Sequence, residues 1–296
     1  MNRRRFLQGV IALVLGAIVA GTYGFLIEPM LRLRVRRWRI SPPGWTGGPL
    51  KVAVLADLHA GEPWVSLDRV RRIVARTNAL GADLIVILGD LPAGHRFVSR
   101  AVPLADVTEA LSHLGAPLGV HAILGNHDWW DDRAAQARGG GPSLVAGLLQ
   151  AAGIPVLQNR ALRISPGPAG STFWLAGVDD QLAFPQGGGR FAGLDDLSGT
   201  LSQITDDAPV ILLAHEPDIF PKVPDRVALT LSGHTHGGQF RLFGWSPVVP
   251  SAYGNRFAYG HVREGARDLV VSGGIGCSIL PVRFGVVPEI TMIELS

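Results

Sequence analysis

The chain has 296 residues, 47% of them hydrophobic and only 17% charged, with a net charge of +3. Such a composition excludes a disordered chain and supports one large core or two small ones. Its single cysteine, Cys277, excludes a disulfide framework and a thiolate cage, so any metal must be held by His, Asp, Glu or Asn. Cys277 sits among glycines and reads as a small packed side chain. Arg supplies nearly all the positive charge, which suits nucleic acid, anionic lipid or simply a biased genome composition.

Arg3, Arg4 and Arg5 precede Phe6 and Leu7, and no charged residue occurs from Gly9 to Ile27. At ~1.5 Å per residue this run is about 28 Å long, close to a hydrocarbon core of ~30 Å. Pro29 and an Arg cluster follow it, which excludes a core helix. Residues Asn2 to Gln8 resemble a twin-arginine export signal, with Arg3 and Arg4 as the pair. That route carries folded proteins and suits an enzyme that loads metal before export. Residues 1–28 therefore read as an uncleaved signal anchor in the inner (cytoplasmic) membrane, with the following domain outside the cytoplasm. Arg32, Arg34, Arg36, Arg37 and Arg39 argue for a cytoplasmic domain by the positive-inside rule, unless they lie on anionic headgroups. Residues 29–49, ending in the breaker-rich stretch Ser41 to Pro49, read as a basic juxtamembrane linker, and 50–296 as the domain.

Within the domain, apolar runs at Leu50–Ala56, Leu84–Leu88, Val120–Leu124, Phe173–Val178, Val210–Ala214 and Val227–Leu231 predict strands. Val270-Val271 and Ile290–Leu295 predict two more. Their continuous hydrophobicity implies sheets covered on both faces. Leu67, Val70, Val74 and Thr77 recur at helical spacing behind a Ser66 cap, with Gly81 as a stop. Ala101–Leu114 and Ser143–Ala152 predict further helices. This alternation predicts a layered α/β fold, with ligands beyond the carboxyl ends of the strands.

The residues just after the strands carry the chemistry. The chain leaves apolar runs directly into Asp57-Leu58-His59, Gly89-Asp90, Gly125-Asn126-His127-Asp128, His215, and Gly233-His234-Thr235-His236. Five of the nine histidines fall there: His59, His127, His215, His234 and His236. This donor set suits Mn, Fe, Zn or Co. In an extended segment Asp57 and His59 share a face, as do His234 and His236, so each pair can enter one pocket. With Asp90, Asn126 and His215 these make seven candidate ligands, too many for one tetrahedral ion and suited to two metals sharing a carboxylate.

In this order the motifs resemble the calcineurin-like metallophosphoesterase family. The resemblance implies a four-layer α/β sandwich of two mixed β-sheets flanked by helices. It implies that Asp57, His59 and His236 hold one divalent ion, Asn126, His215 and His234 the other, and that Asp90 bridges them. His127 would protonate the leaving group, oriented by Asp128. Two cations ~3.5–4 Å apart would generate hydroxide from a bridging water near neutral pH. Arg256 and Arg283 are candidates to grip phosphate. Trp129-Trp130 either cap the site or pack, and Asp179-Asp180 reads as a turn.

The N-terminus, and the ending from Ser272-Gly273-Gly274 through Arg283 to Pro288-Glu289-Ile290, resemble the membrane-associated branch, whose members include UDP-2,3-diacylglucosamine pyrophosphatases of lipid A synthesis. The expected partners are a membrane and a phosphorylated small-molecule or lipid substrate, with no specific nucleic acid. The alternatives are a nucleotidase or nuclease, and a non-catalytic metal-binding interaction module.

Overall fold

The computed structural model describes residues 3–165 and 172–296. Its first element, α1 (Arg3–Thr22), buries no residue and continues as widened helical turns over Tyr23–Leu31. Pro29 lies inside that widened part. Proline has no N–H for the regular ladder, and looser turns accommodate it. Arg3–Leu31 is long and apolar enough to cross a membrane.

Eleven strands then form two mixed sheets. They are β1 (Arg34–Ile40), β2 (Leu50–Leu55), β3 (Leu84–Ile87), β4 (Val120–Ala122), β5 (Arg160–Ile164) and β6 (Phe173–Gly177), followed by β7 (Val210–Leu213), β8 (Val227–Ser232), β9 (Gly260–Glu264), β10 (Arg267–Val271) and β11 (Glu289–Leu295). The five-stranded sheet has the order β1-β11-β2-β3-β4, and the six-stranded sheet the order β9-β10-β8-β7-β6-β5. β2, β3 and β4 are parallel, as are β6, β7, β8 and β10. The eight strands expected from apolar runs are all present.

The period of two sorts each strand between two cores. Val52 and Val54 of β2 point between the sheets, where they meet Leu84, Val86, Ile211, Leu213, Leu229 and Leu231. Ala53 and Leu55 point outward onto α2 (Leu67–Asn78), α3 (Leu104–Leu111) and α5 (Leu144–Ala151). Val210 and Leu212 of β7 form a third core with Phe220 and Phe257. The result is the expected arrangement of helix, sheet, sheet and helix. Ser66 caps α2 by accepting from the Arg69 N–H, and Ser143 caps α5 by accepting from the Ala146 N–H.

The stretch 29–49 corrects the linker reading. Residues 34–40 are the edge strand β1, paired in parallel with β11 from Arg34 opposite Glu289 to Ile40 opposite Leu295. Beyond it, Trp45 is buried against Phe173, with ring centroids 5.5 Å apart. Alternating arginines hid the strand, because an edge strand tolerates charges that a central one does not. Nor are those arginines all free for headgroups. Arg34 pairs with buried Glu289, while Arg37 and Arg39 both pair with Glu294, each at 2.9 Å.

A chain starting at Leu33 is therefore expected to unfold cooperatively. One starting at Leu50 should lose at least about 3 kcal/mol, because buried Glu289 loses its cationic partner Arg34 and the Trp45 site is emptied. Urea unfolding of the two truncations tests this.

Candidate metal centre

The expected ligands all leave the carboxyl ends of β2, β3, β4, β7 and β8, so the two sheets present them to one another. Asp57, His59, Asp90, His234 and His236 have φ values of 54°, 43°, 59°, 66° and 51°. These left-handed turns are uncommon outside glycine, though Asp and His tolerate them best. They also correct the reading of Asp57/His59 and His234/His236 as neighbours on an extended strand face. The pairs converge because the backbone reverses, and the strain is concentrated at the site. Close approach demands glycine beside them: a Cβ on Gly89 would lie 2.2 Å from the Gly125 nitrogen, and one on Gly125 would lie 2.5 Å from Asp90 Oδ1.

The nitrogen and oxygen atoms crowd together. His59 Nδ1 faces the Pro92 carbonyl at 2.9 Å, and His215 Nδ1 faces the Leu88 carbonyl at 2.5 Å. Each ring therefore donates from Nδ1 and turns Nε2 toward the cluster. His59 Nε2 lies 3.1 Å from His236 Nε2, and His236 Nε2 lies 3.6 Å from Asp57 Oδ1. Asp90 Oδ2 sits 3.4 Å from His59 Nε2 and 3.3 Å from His215 Nε2, between two groups of donors. On the far side, His234 Nδ1 is 2.8 Å from Asn126 Oδ1. Asp57 Oδ2 and His215 Nε2 are buried without a hydrogen bond of good geometry. Imidazole nitrogens crowded against one another and orphaned buried atoms are what a divalent cation satisfies, so the donor set fits a metal. The triads Asp57–His59–His236, Asp57–Asp90–His215 and His59–Asp90–His127 each bring their donor atoms within 4.8 Å of one another.

Burial sets the charges. It drives the Asp57 carboxyl up to about 7, against the pull of His215 and with a further push from Asp90. Asp90 is equally buried, yet His215, His127 and His59 around it hold its carboxyl well below the usual range. Burial lowers His59 to about 3 and pushes His236 well down, the latter helped by His59 and Arg283. Burial also opposes charge on His215, but Asp90 overrides it and raises the ring well above the ordinary histidine value.

His127 is half-buried on α4 (Asn126–Trp130), beside the cluster. Its Nδ1 faces Asp131 Oδ2 at 3.5 Å, and its Nε2 faces Ser278 Oγ at 3.4 Å. Asp128 is not its orienting partner. The Asp128 carboxylate accepts the backbone N–H groups of Gly125, Asp90 and Leu91 at 2.8, 2.8 and 3.0 Å, tying two ligand loops together. The carboxylate facing the ring belongs to Asp131, four residues on, a spacing that marks neighbours on a helix. Asp131 was legible in that spacing and was missed. Burial resists charge on His127, but Asp90 and Asp131 raise its pKa above the ordinary value.

Neither candidate phosphate-gripping arginine faces the cleft. Arg283 is fully buried and donates to the carbonyls of Gly276, Gly273 and Val286. Its remaining arm reaches His236 Nδ1 at 3.1 Å, so it supports the site from behind. Arg256 pairs with Glu264 at 2.7 Å. Trp129 packs, donating to Asp179, whereas Trp130 lines the cleft beside His127. Glu216, next in sequence to His215, was also missed. It is buried and joins His215 and His234 in a fourth possible metal-holding triad. Burial and Glu216 together raise the facing Asp180 carboxyl well above its ordinary value.

A model of the calcineurin-like phosphoesterase family matches residues 50–238. The chain belongs to that family. It is similar over its whole length to the metallophosphoesterase YkuE of Bacillus subtilis, at 34% identity and 98% of that protein's length. It is 33% identical to a transmembrane protein with a metallophosphoesterase domain from Danio rerio, over 98% of this chain and 63% of that one. The phosphodiesterase YaeI of Escherichia coli is 29% identical over the full chain and 99% of its own length. This metallophosphoesterase therefore hydrolyses phosphoester bonds, and its His and Asp clusters are the places where the family's divalent metal chemistry can be held.

Metal uptake must displace the protons from Asp57 and His215. Affinity is therefore expected to fall as pH drops through about 7, with Mn binding at roughly pH 6 at least about tenfold weaker than at roughly pH 8. Asp57 is raised from 3.8, so its proton favours the metal-free fold at low pH, and that contribution is lost as pH rises towards 7. Calorimetric titration in buffers of different ionisation heat reads both the affinity and the protons released.

Proposed function

We propose that this phosphoesterase is anchored by its N-terminal helix and cleaves a phosphoester of an amphiphilic, envelope-associated substrate at a two-metal centre. Asp57, His59 and His236 would hold one divalent ion, and Asn126, His215 and His234 the other, with Asp90 between them. Mn, Fe, Zn and Co all match the donor set. Bound ions would supply Lewis-acid charge and an activated water. The observation that carries this reading is the pair of buried, unpartnered atoms, Asp57 Oδ2 and His215 Nε2, where the two sheets meet.

The chain's own groups account for the rest. Asp90 accepts the backbone N–H of His127 at 2.8 Å, which fixes that residue against the cluster. Asp131 and Asp90 keep a proton on His127, ready for the departing oxygen. Asp128 holds the loops of Asp90 and Asn126 at fixed spacing. The cleft has a volume of about 370 Å³, with a polar floor and walls that include Phe240, Val248, Ile279 and Leu280. None of its lining residues is Lys or Arg, which favours one phosphoryl group on an apolar body over a polyanionic nucleotide. The twin-arginine-like start supports a domain outside the cytoplasm, and protease shaving of intact cells tests that side.

A panel of an aryl phosphomonoester, an aryl phosphodiester, a nucleotide diphosphate sugar and a lipid phosphate, each with added Mn, tests the activity. Asp90→Asn is expected to lose both metal and turnover. His127→Ala should keep metal and lose about 10²–10⁴ in rate, most severely with alkyl leaving groups. An equal loss for aryl and alkyl esters would remove the acid role. Asp131→Asn removes a charge that raises the pKa of His127. The protonated ring should then be lost at lower pH, moving the alkaline limb of the kcat profile downward for alkyl esters.

A further inference from the structure

The mouth of the cleft is unusually apolar for a surface in water. Val248 and Ile279 line it and are 70% and 71% exposed, and Phe243 and Trp245, on the turn between the wall residues Phe240 and Pro247, are 106% and 60% exposed. Phe243 stands at the tip of a tight turn closed by hydrogen bonds of 2.9 Å in both directions between Leu242 and Trp245. Its φ is 50°, and across the cleft Ile279 has a φ of 65°. A bulky or β-branched residue in the left-handed region is strained, and strain persists where the surroundings or the function demand it. Neither side chain gains packing within the domain that would offset it.

The two rim loops are tied to each other and to the site. Gln239 donates to the Leu280 carbonyl and accepts the Ser278 N–H, while Phe284 and Arg241 pair through their backbones. The foot of the apolar helix joins the same assembly. Tyr23 packs edge-on against Phe284 at 5.7 Å, and Phe284 stacks on Phe240, a wall of the cleft, at 5.4 Å. The Arg283 N–H donates to the Gly24 carbonyl at 2.9 Å. Residues 239–250 and 275–282 contain no carboxylate, and their one cation, Arg241, turns to Ser246 and Asn255.

From this continuity we infer that the 242–245 turn and the 279–280 loop insert into the lipid surface beside the N-terminal helix. The cleft would then open onto the bilayer and draw its phosphorylated amphiphile from there. A Trp beside apolar side chains, with no acid among them, is the composition of an interfacial anchor. The inference rests on the anchored-phosphoesterase reading and names where the substrate enters.

The test uses the full chain reconstituted in phosphatidylcholine vesicles. Phe243→Cys can be labelled selectively with an environment-sensitive dye, because Cys277 is buried. The label should be quenched by nitroxide carried on lipid chains and shielded from aqueous iodide. A label at Asp225→Cys, which precedes β8 and so lies at the opposite end of the sheet from the site, should show the reverse. Iodide quenching at 243 equal to that at 225 would overturn the inference. In the second arm, Phe243→Ser/Trp245→Ser should keep soluble aryl phosphoester turnover within about twofold. It should lose at least about tenfold on phosphatidic acid or phosphatidylglycerol in the vesicles, as two apolar anchors leave the lipid. Equal losses on both substrates, or an inserted wild type that turns over only the soluble ester, would refute access from the bilayer. Failure of the wild type on every ester would instead refute the phosphoesterase reading, while the quenching result stands by itself.

Discussion

A cluster of imidazoles and carboxylates is held in a dry place where it cannot satisfy itself, and much of the fold is arranged around that deficit. Asp57, Asp90, His59, His215 and His236 are all buried, two of their polar atoms lack partners, and like groups face like groups. Each unmatched buried polar atom costs about 1–3 kcal/mol, more when charged. The cost is carried by two large cores on either side, and the tension makes the site a trap for cations. Left-handed turns at five of the seven expected ligands belong to the same design, since they bring side chains from separate strands closer than a pleat would.

The backing of the cluster is as specific as its face. Asp128 gathers three backbone N–H groups from two ligand loops, and Arg283 commits its guanidinium to three carbonyls and His236. Glu289 extends this framework to the edge of the sheet. It accepts from Arg34 of β1, from the Tyr259 hydroxyl and from the Gly273 N–H. Gly273 adjoins the loop whose Gly276 N–H donates to the Asp57 carbonyl at 2.7 Å. A continuous set of contacts thus runs from the strand after the apolar N-terminal helix to Asp57, a candidate ligand.

Legibility in the sequence followed burial. Central strands such as Leu84–Ile87 and Val210–Leu213 were readable because both faces are covered and every side chain is apolar. Of the four edge strands only the apolar β4 was readable. β1 is written in arginines, and β5 and β9 alternate exposed and covered residues too loosely to stand out. The seven candidate ligands were legible because polar residues directly after buried strands have few other reasons to be there. Asp131 and Glu216 were missed although one sits a helical turn from His127 and the other beside His215. The roles given to Asp128, Arg256 and Arg283 failed because residue type states what a side chain can bind, not which way it faces.

By itself the sequence determined the layered α/β class, the order of the candidate donor residues, the apolar N-terminal run and the absence of any thiolate route to a metal. These follow from composition and periodicity, which are local properties of the chain. Only the tertiary structure decided that residues 34–40 complete a sheet, that Asp131 and not Asp128 faces His127, and that Arg283 lies behind the site. It also tied the loop of strained Phe243 to the helix foot through Phe284. Each of these depends on which segments distant in sequence come to share a surface, and that is settled by packing two sheets face to face.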